Sequence, residues 1–157
     1  MPAIYENHGL HFAYPENWQL MEPEQDPGLV DVTLQTPNGG FWSVQLMPSE
    51  VLPEECIEQI FEGLEAEYED LERESASCEF AGVACSGYEV RFFCLDMLVE
   101  VRVWACKHAG RTFVCHYQAE QSEFLEIEPV FRAIATSLFQ GQIEAVSYTH
   151  LTLPTKA

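Results

Sequence analysis

The residue types best able to do chemistry in this chain are its six cysteines, at positions 56, 78, 85, 94, 106 and 115, and the histidines at 8, 11, 108 and 116. A thiol within hydrogen-bond reach of an imidazole makes a nucleophile and its base, and several such groups around one point make a metal site. Cys106-Lys107-His108 and Cys115-His116 lie where a hairpin would bring them together, so an enzyme reading would be built on Cys106, His108, Cys115 and His116. Strand geometry works against it, because adjacent residues point to opposite faces and at most half of each pair could serve one centre. There is no Cys-x-x-Cys, His-Glu-x-x-His or Gly-x-Ser-x-Gly, and the glycines form neither a dinucleotide fingerprint nor a phosphate loop. An even cysteine count without an export signal reads as free thiols, most of them small core residues. The expectation is a chain with no catalytic residue, no metal and no cofactor.

The unusual quantity is electrostatic. The 157 residues carry 26 Asp and Glu against 7 Lys and Arg, a formal net charge of −19. Such a surface repels phosphate backbones and anionic lipid, which argues against nucleic acid and against membrane insertion. Much of the charge is local: ten carboxylates and one basic residue, Arg73, fall between Glu54 and Glu74. In that window Ile57, Ile60, Phe61, Leu64, Tyr68 and Leu71 recur at helical steps, which predicts a helix over Pro53–Arg73 with Pro53 in its first turn. Like charges four apart, such as Glu58/Glu62 and Glu65/Glu69, each cost about 0.2–0.5 kcal/mol, with Glu69/Arg73 the one evident offset. The packed face must therefore hold the helix. Its outer face serves either solubility or docking, and the docking reading takes Glu58, Glu62, Glu65 and Glu69 as contacts for an unidentified protein partner, a basic one on charge grounds. Phe41 and Trp42, just after a Gly-Gly turn, are further candidate contacts, whereas Trp18 and Trp104 read as core.

The elements that must position these residues follow from period and turn chemistry. Ile4–Glu6 and Leu10–Tyr14 flank Asn7-His8-Gly9 as a hairpin, and Leu29–Thr36 and Phe41–Met47 flank Pro37-Asn38-Gly39-Gly40 as another. Residues 22–28 read as a loop. Three long strands, Cys85–Phe93, Asp96–Cys106 and Arg111–Gln118, form a meander that is apolar on both faces and must be covered on both. One cover is the acidic helix. The other carries Phe124, Ile127, Phe131, Ile134 and Leu138, with Ser122 as its cap and Pro129 as a kink or fresh start.

An N-terminal hairpin running into Phe12-Ala13-Tyr14-Pro15-Glu16-Asn17-Trp18, a central helix, a long meander and a last helix closing in Ile134-Ala135-Thr136-Ser137-Leu138-Phe139 resembles the PsbP-like α+β family. The resemblance covers residues 4–139. The family includes a photosystem II extrinsic subunit, a Ran-binding import factor, DcrB-like proteins and chaperones for type VI secretion effectors. It implies a twisted antiparallel sheet with an N-terminal hairpin, covered by two main helices, and a binding or adaptor role without chemistry of its own. No functional motif of a named member matches residue by residue, so the resemblance carries no site.

Residues 1–144 read as a single domain. The last stretch, from Val146 to Lys156, looks like a translated sequencing adapter, so 145–157 is set aside as not native, and without Lys156 the charge becomes about −20. The N-terminus lacks a basic n-region and an apolar h-region, and no window approaches eighteen apolar residues, so the expected location is the cytoplasm. The functional expectation is a non-catalytic protein-binding or adaptor module with an acidic helix face. The alternatives are a chaperone for a secreted effector, which needs an exposed apolar groove, and the Cys/His enzyme.

Overall fold

Alternation in the C-terminal half produces an antiparallel sheet built largely from two-residue hairpins. The computed structural model describes residues 2–23 and 28–156, with side chains described through Gly141. In order the elements are β1 (Pro2–Asn7), β2 (Leu10–Pro15), β3 (Gln19–Met21), β4 (Val30–Gln35), β5 (Phe41–Pro48), α1 (Pro53–Glu67), β6 (Glu72–Phe80), β7 (Val83–Cys94), β8 (Met97–His108), β9 (Arg111–Glu120) and α2 (Gln121–Lys156). β1 and β2 pair as a two-stranded sheet, and the other seven strands form one sheet in the order β3-β4-β5-β9-β8-β7-β6, every pair antiparallel. This is α+β, with an antiparallel sheet, an N-terminal hairpin and two helices. Residues 24–27 of the expected 22–28 loop lie outside the described residues, as do the side chains of the tail set aside at 145–157.

Four hairpins turn on two residues that both have positive φ, the type I′ signature: His8-Gly9, Ala81-Gly82, Leu95-Asp96 and Ala109-Gly110. Three of them place Gly second. The β7–β8 turn uses Leu95 (φ 51°) and Asp96 (φ 67°) instead.

The sheet has two cores. On one face Val90, Phe92, Val101, Val103 and Val114 meet Cys56 and Leu64 of α1. On the other, Trp42, Val44, Trp104, Phe113 and Tyr117 meet Phe131, Ile134 and Leu138 of α2, with Phe12 and Leu10 of the β1–β2 hairpin closing the layer. Ala13 N–H donates to Ser137 Oγ at 2.9 Å, which ties β2 to α2. Tyr88 hydroxyl donates to Ile57 O at 2.6 Å, which ties α1 to β7.

Four expectations are corrected. The acidic helix ends at Glu67, not Arg73: Tyr68 is its extended C-cap, with its N–H bonded to Leu64 O at 2.8 Å, and the chain enters β6 at Glu72. Three carboxylates, Glu67, Glu69 and Asp70, crowd the negative end of the helix dipole with no basic residue in the last turn, which favours termination there. Tyr68 and Leu71 still reach the core, through extended chain. The meander consequently has a fourth strand, β6, whose inward residues Ala76, Cys78 and Phe80 alternate with polar ones along a charged edge. The cap of α2 is Glu120 in place of Ser122: its carboxylate accepts Ser122 N–H at 3.0 Å, Glu123 N–H at 3.4 Å and the Ser122 hydroxyl. Finally, of the two readings of Pro129, the kink and the fresh start, the fresh start is corrected, since α2 runs through it as one helix.

Candidate functional site

The cysteine–histidine set does not converge. Register pairs Trp104 with Cys115 and Val103 with His116, so Cys115 faces α2 while His116 lies on the opposite face of the sheet. Desolvation pushes the His116 imidazole down to about 4, against the partial support of its 2.9 Å hydrogen bond with Gln118. Phe41 packs edge-on against that ring, 5.0 Å between centroids. His108 sits between Phe113 and Phe139, its Nε2 buried without a partner. Cys115 is enclosed by core, and burial pushes its thiol well up. A thiol with its proton held and an imidazole on the far side of a sheet make no nucleophile–base pair. Among the described residues no group of three or more His, Cys, Asp or Glu is arranged to hold a metal ion, and no helix is long and apolar enough to cross a membrane.

The acidic candidates separate into three environments. Glu58 is engaged internally: Arg73 of β6 reaches across α1 and donates to both its carboxylate oxygens, at 2.5 and 3.1 Å. That guanidinium holds the Glu58 carboxyl below its usual range, and it lies 4.5 Å from the ring centroids of both Phe61 and Tyr88. Arg73 thus fastens the β-sheet edge to the helix, and the offset expected with Glu69 goes to Glu58. Glu62 is exposed on the outer face of α1. Glu65 and Glu69 are brought together because the helix stops between them. With Asp70, Phe61, Tyr68 and Leu71 they line an open pocket of about 400 Å³.

Beside the pocket stands the β7–β8 hairpin tip, which the sequence reading did not single out. Tyr68, a pocket wall, stacks on Phe92 with centroids 4.1 Å apart. The same face continues through Cys94 and its register partner Met97 to the turn. At the tip Leu95 and Met97 keep 88 and 49% of their surface exposed, and Phe93, on the opposite face of the sheet, keeps 70%, unusual exposure on so charged a protein. The available signal was the turn chemistry, since Leu95-Asp96 sits where Asn-Gly is the favoured pair.

The aromatic candidates divide. Phe41 is half-buried on the open sheet face beside His116. Trp42 is corrected: it is fully buried, because β5 lies inside the sheet and places Trp42 against Leu34, Tyr117 and Phe12. Its indole N–H has no partner. A second concavity of about 510 Å³ runs between β2 and α2, lined mainly by apolar groups of Ala13, Tyr14, Pro15, Val130, Ala133 and Ile134.

No family model matches the sequence, and no curated protein matches it. Solved structures do match in fold. Cyanobacterial PsbP (CyanoP) of Synechocystis superposes with a TM-score of 0.57 at 15% identity, over 87% of this chain and 90% of that one. A protein of Bacteroides thetaiotaomicron gives 0.58 at 11% identity, over 86% of this chain and 47% of that one. LpqN of Mycobacterium tuberculosis, described as involved in cell envelope biogenesis, gives 0.45 at 14% identity, over 85% and 86%. The chain has the PsbP-like α+β fold.

Proposed function

We propose that this chain is a non-catalytic protein-binding module, and that its partner offers a basic amphipathic segment to the pocket of Glu65, Glu69 and Asp70 and to the adjoining hairpin tip. The observation that carries this reading is the juxtaposition itself: carboxylates around aromatic walls, next to exposed Leu95 and Met97. A lysine or arginine side chain gains from both halves of such a pocket, the carboxylates by charge and the ring faces by cation–π attraction. Arg73 already uses this chemistry within the fold, between Glu58 and the rings of Phe61 and Tyr88. The net charge of −19 adds long-range attraction for a basic partner, so association should be fast at low salt and weaken as salt is added. Affinity capture from native lysate at low salt tests it. A partner retained by the wild type should be lost from the Glu62→Gln/Glu65→Gln/Glu69→Gln variant, in which the Glu58–Arg73 pair is left intact. Equal retention by both would remove the reading.

The groove between β2 and α2 favours a second reading, a chaperone that shelters an apolar segment of an effector. Ala133→Glu, on the exposed rim of that groove, would abolish such binding and leave docking at the acidic pocket unchanged.

A further inference from the structure

Three cysteines lie in one cross-strand row: Cys78 of β6 is in register with Cys85 of β7, and Cys106 of β8 stands opposite Cys85 one step beyond the last β7–β8 pair, Ser86–Ala105. The two registers differ in kind. In a hairpin with a two-residue turn the residues flanking the turn form a hydrogen-bonded pair, and the type then alternates outward. Counting from Cys94–Met97 makes Cys85–Cys106 a non-hydrogen-bonded pair, whereas counting from Phe80–Val83 makes Cys78–Cys85 a hydrogen-bonded one. Non-hydrogen-bonded partners have Cα atoms about 4.5 Å apart and their side chains closest, within the span of about 4.4–6.8 Å that a disulfide bridges. Both side chains point into the α2-side core, and all six cysteines of the chain are free thiols.

We propose that Cys85 and Cys106 are a dithiol modification site, which hydrogen peroxide oxidises to a reversible cross-strand disulfide. The Cys106 sulfur attacks one peroxide oxygen, the O–O bond breaks, and Cys106 becomes a sulfenic acid as water leaves. The Cys85 sulfur then attacks the Cys106 sulfur, the S–O bond breaks and a second water leaves. Two thiols and one peroxide thus give one disulfide and two waters. The order of attack follows from the closeness of the two thiols, which eases ionisation of Cys106 and holds the proton on Cys85, whose S–H is directed to Val83 O at 3.9 Å. Cys115 lies diagonal to Cys106, opposite Trp104, so it is not the register partner. Cys78 is occupied by Arg132, and its separation from Cys85 is the wider type. Access for a molecule as small as hydrogen peroxide comes from opening of the edge strand β6, which covers one side of β7.

The test treats the folded, fully reduced protein with hydrogen peroxide, blocks remaining thiols, cleaves after Lys, Arg and Glu, and maps the cross-links by mass spectrometry. The expected product is a single link between the peptide containing Cys85 and the peptide containing Cys106, lost on treatment with dithiothreitol, together with a rise in Tm of the oxidised protein. Wild-type mapping needs no variant to fold, and Cys106→Ala, as a control, should leave Cys85 as a blockable thiol. A Cys78–Cys85 link, a link between two molecules, irreversible oxidation without a link, or six blockable thiols after treatment would each overturn the proposal.

Discussion

Leu95→Asn separates what the fold wants at the β7–β8 turn from what a partner wants. Leu95 is 88% exposed and holds φ at 51°, so its side chain contributes little burial while its backbone occupies the left-handed region. That region costs a residue with a normal Cβ about 1–2 kcal/mol, and Asn tolerates it because its short polar side chain hydrogen-bonds locally. Replacing Leu95 by Asn therefore removes about 1 kcal/mol of strain and little packing. In a domain of this size that corresponds to a Tm increase of about 2–4 °C. The assay is urea unfolding followed by tryptophan fluorescence, with Trp18, Trp42 and Trp104 all in the core. The midpoint should rise with the slope unchanged. On the proposed function the same variant should bind the partner less tightly, because the most exposed apolar side chain of the described residues has gone. Strain kept at an exposed apolar tip is then a stability cost retained for binding. A lower midpoint would refute the strain argument, and unchanged partner affinity in a stabilised variant would refute the role given to the tip.

Three other outcomes follow from single positions. His116 is held neutral in the fold to about pH 4 and protonates near pH 6.5 when unfolded, so stability is complete above the unfolded value and falls as pH drops through this window. Between pH 7.5 and pH 5 the wild type should lose about 1 kcal/mol relative to His116→Gln, after allowance for the partly exposed ring, in paired urea titrations; parallel pH curves would contradict this. Gly87→Ala should cost about 3 kcal/mol or more, because the added Cβ would stand 1.8 Å from Val103 O, a backbone atom that cannot move aside; a soluble variant with unchanged Tm would contradict the β7–β8 packing. Tyr88→Phe removes the bond to Ile57 O and should lower stability by about 1 kcal/mol, with hydrogen exchange faster in α1 than in α2.

Much of the sheet was legible because its turns are written in local chemistry. His8-Gly9 and Ala109-Gly110 allow positive φ at both central positions, and the alternating runs beside them fixed the register. The PsbP-like fold was legible as a resemblance, carried by Phe12–Trp18 after the first hairpin, the central helix, the long meander and the helix end at Ile134–Phe139. The acidic segment misled because Tyr68 and Leu71 continue the helical spacing as far as an extended chain can carry the same side chains to the core. β6 was hidden by its polar outer face, which an edge strand needs and a sequence pattern does not separate from a charged loop. Trp42 followed a Gly-Gly turn, yet pairing of β5 with both β4 and β9 decided its burial, and that pairing is a long-range fact. The acidic pocket was illegible for the same reason: Phe61 and Glu65 belong to α1, while Glu69, Asp70 and Leu71 follow the helix stop. The pairing of Glu58 was equally hidden, because its partner, Arg73, lies on a different element.

The central claim is that the pocket at the end of α1 and the neighbouring hairpin tip form one binding surface for a basic segment. Titration of the isotope-labelled protein with a synthetic amphipathic peptide of alternating Arg and Leu pairs, followed through backbone amide resonances, tests it most directly. Shifts should concentrate on residues 65–71 and 92–98 and should diminish as salt is raised. Shifts clustered on the β2–α2 groove, scattered over every acidic surface, or absent from both expected segments would contradict the account.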